Sequence, residues 1–225
     1  MFGPRLACLV LLFTASTAFA KAPEPVTAPE PPGDAAEAED QAPLIPAAKD
    51  SLSGHLLIGA GGLGLLPIAM LDGKTSFMDR AGLGVGARGD IGIGVSRYLS
   101  LGVFAEYAVF SSPSDCSSCK TDTLALGPFI RYHVVQGARF DPWLTLGAGY
   151  RALTASGAPR EIEYKGIDWA RVALGGDWYA LSQIGFGPYV EATLGTFTER
   201  PSGTSSTVYG MVNLGVRIAI DAQGR

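Results

Sequence analysis

Histidine, lysine and cysteine are scarce in this chain of 225 residues, and so is charge of either sign. The two histidines, His55 and His133, stand far apart, and neither has a serine or carboxylate neighbour at a spacing that would suggest a hydrolytic triad or a metal cluster. Charged residues make up 17% of the chain, well below the roughly 25% of an average soluble domain. The formal net charge of −4 leaves no broad basic surface, so nucleic acid is not an expected partner. Long apolar runs are missing too. Leu56 to Leu71 lacks charge, but it holds four glycines and Pro67 and falls short of the about 18 residues that read as a membrane helix.

Glycine is what the chain has in abundance, 30 residues of it. Gly59-Ala60-Gly61-Gly62-Leu63-Gly64 matches the spacing of a dinucleotide-binding loop. No helix follows it within a βαβ unit, which is what that chemistry needs, so no cofactor is expected.

The first residues read as an export address. Arg5 supplies a positive start, Leu6 to Ala15 an apolar segment and Ala18-Phe19-Ala20 a small-x-small cleavage site. Cys8 lies at the start of the apolar segment, where a lipoprotein signal would place its cysteine after it. Residues 1–20 are therefore expected to be a signal peptide. Residues 21–50, with APEPVTAPEPPGDAAEAED, are rich in Pro, Ala and Glu, show no hydrophobic period and read as a disordered linker. Residues 51–222 read as one β-domain, and 223–225 as a tail.

Within that domain the pattern alternates in twos, in eight runs at about 54–66, 81–95, 99–110, 122–135, 142–153, 167–180, 185–197 and 207–220. Each run suits the about 9–11 residues that cross a bilayer as a tilted strand. Connections after even runs are short (SRYLS, QGARFD, LSQIG). Those after odd runs are longer and polar (LDGKTSFMD, SSPSDCSSCKT, TASGAPREIEYK, TERPSGTSS). Short turns on one side and long loops on the other predict an all-β, eight-stranded, antiparallel up-and-down transmembrane barrel.

The less apolar face decides which way the barrel is turned. In the second run it reads Gly82, Gly84, Gly86, Arg88, Asp90, Gly92 and Gly94, which suits a cramped interior rather than a solvated surface. Lys21, Lys49, Lys74, Lys120 and Lys165 all fall outside the expected strands, as they should if the apolar faces meet lipid, where a midplane lysine costs ~2–4 kcal/mol. By the same phase Arg88, Arg131, Arg151, Arg171 and Arg217 point into the lumen with Asp90, Glu106, Asp177 and Glu191. Such charges are expected to pair, Glu106 with Arg88 and Arg131, and Glu191 with Arg171 and Arg217. Phe104, Phe129, Tyr189 and Tyr209 share that side. Tyr132, Trp178 and Phe186 fall on the outer face near the short turns, with Tyr107 and Tyr150 nearer the long loops. Pro128 and Pro188 lie inside strands, and a bulge is expected at each.

Gly127-Pro128-Phe129-Ile130-Arg131-Tyr132, Phe140-Asp141-Pro142-Trp143 and Gly147-Ala148-Gly149-Tyr150 give the region from Ser53 to Asp221 a resemblance to the small outer-membrane β-barrels, the group of the OmpA and OmpX transmembrane domains. The resemblance implies a Gram-negative outer-membrane location with both termini in the periplasm. It implies contact with outer-membrane lipid, insertion by the barrel-assembly machinery, and a structural, adhesive or interaction role toward an envelope or cell-surface partner. The chain departs from the group in ending Ile220-Asp221-Ala222-Gln223-Gly224-Arg225 rather than on an aromatic residue.

Cys116-Ser117-Ser118-Cys119 falls in an outer loop of an exported chain and reads as a loop-stapling disulfide, with a two-ligand metal contact or a redox pair as the alternatives. No catalytic or metal site is expected. Two other functions stand beside a closed structural barrel: a narrow pore for ions or small solutes, and a soluble exported barrel that binds an apolar ligand as a lipocalin does.

Overall fold

The computed structural model describes residues 51–68, 82–112, 119–135, 139–157, 161–199 and 207–224. The expected signal peptide, the linker and Cys116 lie outside the described residues. Eight strands run in sequence order: β1 (Leu56–Pro67), β2 (Gly84–Gly94), β3 (Leu99–Phe110), β4 (Lys120–His133), β5 (Phe140–Ser156), β6 (Ile162–Tyr179), β7 (Ile184–Glu199) and β8 (Thr207–Asp221). Each pairs antiparallel with the next, and β1 pairs with β8 to close the barrel. Closure leaves no free edge, so every strand has a partner on both sides.

The two faces divide as the alternation predicts. Ile91, Val103, Leu126, Leu146, Leu174, Leu214 and Val216 are among the large apolar side chains left exposed outside, while arginines and carboxylates are buried inside. This is the reverse of a lipocalin and the surface of a transmembrane barrel. Tyr132, Phe140, Trp178 and Phe186 are exposed near the short-turn rim, with the Phe140 and Trp178 rings 6.4 Å apart. Tyr107 and Tyr150 are exposed nearer the other end.

Three expectations are corrected. The β5–β6 hairpin is longer than the sequence suggests, β5 running to Ser156 and β6 starting at Ile162, so that only residues 157–161 connect them. Polar residues such as Glu163 blurred that boundary, because hydrophobic alternation marks only the lipid-facing part of a strand. As a result Lys120 and Lys165 are strand residues after all, at the long-loop ends of β4 and β6. Pro128 and Pro188 cause no bulge. The β4–β5 ladder lapses between Leu126↔Tyr150 and Phe129↔Gly147, but two residues are skipped on each strand and the register is kept. Pro188 stays paired in register with Val216. The bulges fall elsewhere, on β6 between Asp168 and Ala170 and on the β6–β7 ladder beside Lys165 and Gly166.

At the short-turn end the two terminal strands are clasped. His55 Nδ1 lies 2.9 Å from both carboxylate oxygens of Asp221. The Leu56 amide donates to Gln223 Oε1 at 2.8 Å.

Glycines of the two faces should respond differently to a methyl group. A Cβ on outward Gly62 meets nothing nearer than 3.9 Å, whereas one on inward Gly187 would sit 1.7 Å from the carbonyl oxygen of Gly176. Gly62→Ala is expected to stabilise the barrel by ~0.5–1 kcal/mol by restricting the unfolded chain. Gly187→Ala should cost ~1–3 kcal/mol, as overpacking does. Urea unfolding of refolded protein in lipid, followed by heat-dependent mobility, measures both.

Candidate functional site

The lumen is the one place where polar chemistry gathers among the described residues, and it is arranged in levels along the barrel axis. In the middle Asp168, Glu106 and Glu191 are shared among three guanidinium groups. Asp168 accepts from Arg151 Nε and Nη2, each at 3.0 Å, from Arg171 Nη1 at 2.9 Å and from the Tyr209 hydroxyl. Glu106 accepts from Arg171 Nη2 at 2.6 Å and Arg151 Nη2 at 3.2 Å. Glu191 accepts from Arg88, from Arg171 and from Asn213 Nδ2, the last at 3.0 Å. Arg151, fully buried, also donates to Thr123 Oγ1. The arginine planes rest on an aromatic floor, with Arg171 4.3 Å and Arg88 4.7 Å from the centre of the Phe104 ring. Such contacts stabilise a desolvated guanidinium.

Nearer the short turns a second level holds Asp90, Arg131, Arg217 and Asp177. Arg131 donates to Asp90 Oδ1 at 3.1 Å and to Thr145 Oγ1 at 3.0 Å. Arg217 stands 3.6 Å from Asp90 and 3.8 Å from Asp177. Arg131 and Arg217 both stack on Trp143, at 4.9 and 5.2 Å. His133 Nδ1 lies 2.7 Å from Asp141 Oδ2 at the rim. At the other end Leu65, Phe110, Leu153, Tyr164, Phe197, Tyr209 and Met211 pack into an apolar plug. The Phe197 and Tyr209 rings stack at 4.2 Å.

All nine charges expected in the lumen lie there, but their partners differ from those expected. Arg88 and Glu106 are direct ladder partners, yet Arg88 reaches across to Glu191. Glu106 bonds to Arg151 and Arg171 instead of Arg88 and Arg131, and Glu191 bonds to Arg88 and Arg171 instead of Arg217. The reason is length: an extended arginine outreaches the ~4.8 Å between neighbouring strands, so in a narrow lumen the acid across the interior is the one it meets.

Asp168 is the residue that alternation misses. Inward positions on β6 are even-numbered up to Asp168 and odd-numbered from Arg171 onward. The extra residue of the bulge at Trp169–Ala170 changes the phase. Only the surplus of arginine signalled it. Arg88, Arg131, Arg151, Arg171 and Arg217 need a fifth carboxylate beside Asp90, Glu106, Asp177 and Glu191, and Asp168 supplies it. Both histidines have an aspartate partner, His133 with Asp141 across the β4–β5 turn and His55 with Asp221 at the far end of the chain.

No protein-family model matches the chain, and no curated protein matches it. Solved structures do. Neisserial surface protein A aligns over 73% of this chain and 96% of its own, with a TM-score of 0.56 at 11% identity. The outer membrane protein OprG from Pseudomonas aeruginosa aligns over 76% of this chain and 97% of its own, with a TM-score of 0.51 at 14% identity.

The sharing at Asp168 predicts an ordered pair of losses. Asp168→Ala leaves Arg151 and Arg171 short of a partner in a buried site and should destabilise by ~3–5 kcal/mol. Tyr209→Phe removes one hydrogen bond to a charged group and should cost ~1.5–3 kcal/mol. Equal urea midpoints for Asp168→Ala and wild type would contradict the central place given to this carboxylate.

Proposed function

We propose that this chain, which has the fold of the small outer-membrane β-barrels, is a closed barrel of a Gram-negative outer membrane with a structural or interaction role. In this reading its short turns and both termini face the periplasm, and its long loops face the outside. Lipid surrounds the apolar belt, and the barrel-assembly machinery inserts it. The observation that carries the proposal is the plugged lumen. Eight strands leave an interior that side chains can fill, and here an aromatic plug, a central ion network and the Trp143 level follow one another along the axis. A conducting path would have to break charge-assisted bonds whose partners are buried.

The same saturation supports a non-catalytic reading. The central carboxylates are each held by two guanidinium groups, and a general acid or base needs a proton-transfer route to a substrate. Binding therefore falls to the strand ends and loops. In that setting a Cys116–Cys119 staple would stiffen the loop that leads into β4.

Planar-bilayer recording of refolded wild type is expected to show no reproducible unitary openings. Regular openings would replace the closed barrel with the pore reading. On intact cells a membrane-impermeant thiol reagent should label the chain only after mild reduction. Labelling without reduction would remove the disulfide, and none after reduction would remove the proposed topology.

A further inference from the structure

Buried polar atoms without a partner are unevenly distributed along the lumen. Ser100 Oγ, Trp143 Nε1, Asp177 Oδ1, the Tyr189 hydroxyl, and Arg217 Nε and Nη1 have no hydrogen-bonding partner among the described residues. These lie in the half toward the short turns, and two further atoms without a partner, Arg171 Nε and Asn213 Oδ1, belong to the central network. None of the orphaned atoms belongs to the plug of Leu65, Phe110, Leu153, Phe197 and Met211, and the Tyr209 hydroxyl there is bonded to Asp168. Side chains that are more than nine-tenths buried, such as Trp143, Tyr189 and Arg217, do not forgo hydrogen bonds cheaply. An unmet buried group keeps the full penalty of its desolvation.

Two small cavities lie where those atoms are. One, of about 10 Å³, is lined by Arg88, Asp90, Arg131, Trp143, Tyr189 and Arg217 among others. The other, also about 10 Å³, is lined by Arg131, His133, Asp177, Tyr179 and Arg217 among others. Arg131 and Arg217 border both, so the cavities succeed one another along the axis. The second reaches the ends of β4 and β6 at His133 and Tyr179. Each is about the size that admits one water molecule.

We propose that the short-turn half of the lumen holds a short file of ordered water molecules. The file enters at the His133–Tyr179 mouth and ends blind beneath the Glu106–Asp168–Glu191 network. Water fits the chemistry better than an anion does. The walls present donors (the Trp143 indole, Arg217 and the Tyr189 hydroxyl) and also an unmet acceptor, Asp177, and water serves both kinds. A halide would serve only the donors. It would also add a negative charge to a lumen in which buried carboxylates, Asp141 and Asp221 at the rim included, already outnumber the five arginines. Beyond the central network the file cannot continue, because the lumen there is apolar and closed by stacked rings. The barrel interior is thus wet on one side and dry on the other.

Tyr189 and Tyr209 form a built-in comparison, since both are lumen tyrosines under one-tenth exposed. Solution NMR of the refolded full chain in detergent micelles reads their hydroxyl protons and the Trp143 indole proton. The Trp143 indole and the Tyr189 hydroxyl are expected to show direct water cross-peaks and to exchange orders of magnitude faster than the Tyr209 hydroxyl. Ala173→Leu, which fills the first cavity, should abolish the cross-peak at Trp143. If that variant does not fold, the wild-type comparison of the two tyrosines decides alone. Equal protection of both hydroxyls would overturn the proposal. So would a Trp143 signal that follows chloride when chloride replaces gluconate at constant ionic strength, since that would put an anion in the cavity.

Discussion

Among the described residues five guanidinium groups and the carboxylates of Asp90, Glu106, Asp168, Asp177 and Glu191, with those of Asp141 and Asp221 at the rim, sit inside a barrel only eight strands round, and the need to neutralise them there governs the rest of the structure. An ion pair out of water recovers its desolvation cost only when its geometry is good and its remaining donors and acceptors are met. The central level meets most of these demands by sharing, with Arg171 Nε and Asn213 Oδ1 left over. Arg171 touches Glu106, Asp168 and Glu191, while Arg151 touches Glu106 and Asp168. No single pair can then be treated as independent, because each carboxylate orients two cations, Arg151 orients two acids and Arg171 three, and Arg88 joins the set through Glu191. Thr123, Asn213 and Tyr209 complete the set from three further positions.

Glycine is what makes room for those side chains. Where Gly59 would carry a Cβ, the Asp90 carboxylate and the Arg217 guanidinium stand at 2.4 and 2.6 Å. The Phe129 ring stands 2.6 Å from the corresponding point on Gly102, the Trp143 ring 2.5 Å from that on Gly175, and the Tyr189 ring 2.6 Å from that on Gly215. Each inward glycine of this kind is a socket for a large side chain. A wall built from ordinary residues would leave too little lumen for an arginine to cross it. The high glycine content and the inward arginines are thus two sides of one packing solution, and close packing holds in this charged interior as it does in an apolar one.

Most of the fold was legible because a closed barrel imposes a simple rule on each strand, apolar outward and other residues inward, and the rule shows wherever the outer face meets lipid. It stops showing where strands rise beyond the apolar belt, which is why the β5–β6 hairpin was longer than expected. It fails at a bulge, because one inserted residue changes the phase and nothing in the local composition marks the insertion. Trp169–Ala170 looks like any other step along the strand, yet it turns Asp168 inward. Proline proved a poor marker of bulges, since Pro128 and Pro188 keep register by giving up ladder bonds locally instead of adding a residue. Pairing was the least legible level. Alternation states which side chains share the lumen, whereas the partner of each arginine depends on curvature and side-chain reach across the interior, and Arg88 passes over its ladder neighbour Glu106 to meet Glu191.

The same levels explain why the two ends of the barrel are suited to different work. At the long-loop end, Leu65, Phe110, Leu153, Phe197 and Met211 come from five strands and meet in one apolar cluster, so the rim from which the loops depart is braced across its diameter. The central network beneath it ties β2, β3, β5, β6, β7 and β8 together through charge-assisted bonds. At the short-turn end the bracing changes character. Arg131 and Arg217 press against Trp143, and the terminal strands are joined by the His55–Asp221 contact and by Gln223. An interior stiffened in this way has little freedom left to change shape in response to a ligand. It gives the loops a fixed mount, and under the proposed function recognition falls to loop sequence on that mount, with the lumen contributing rigidity.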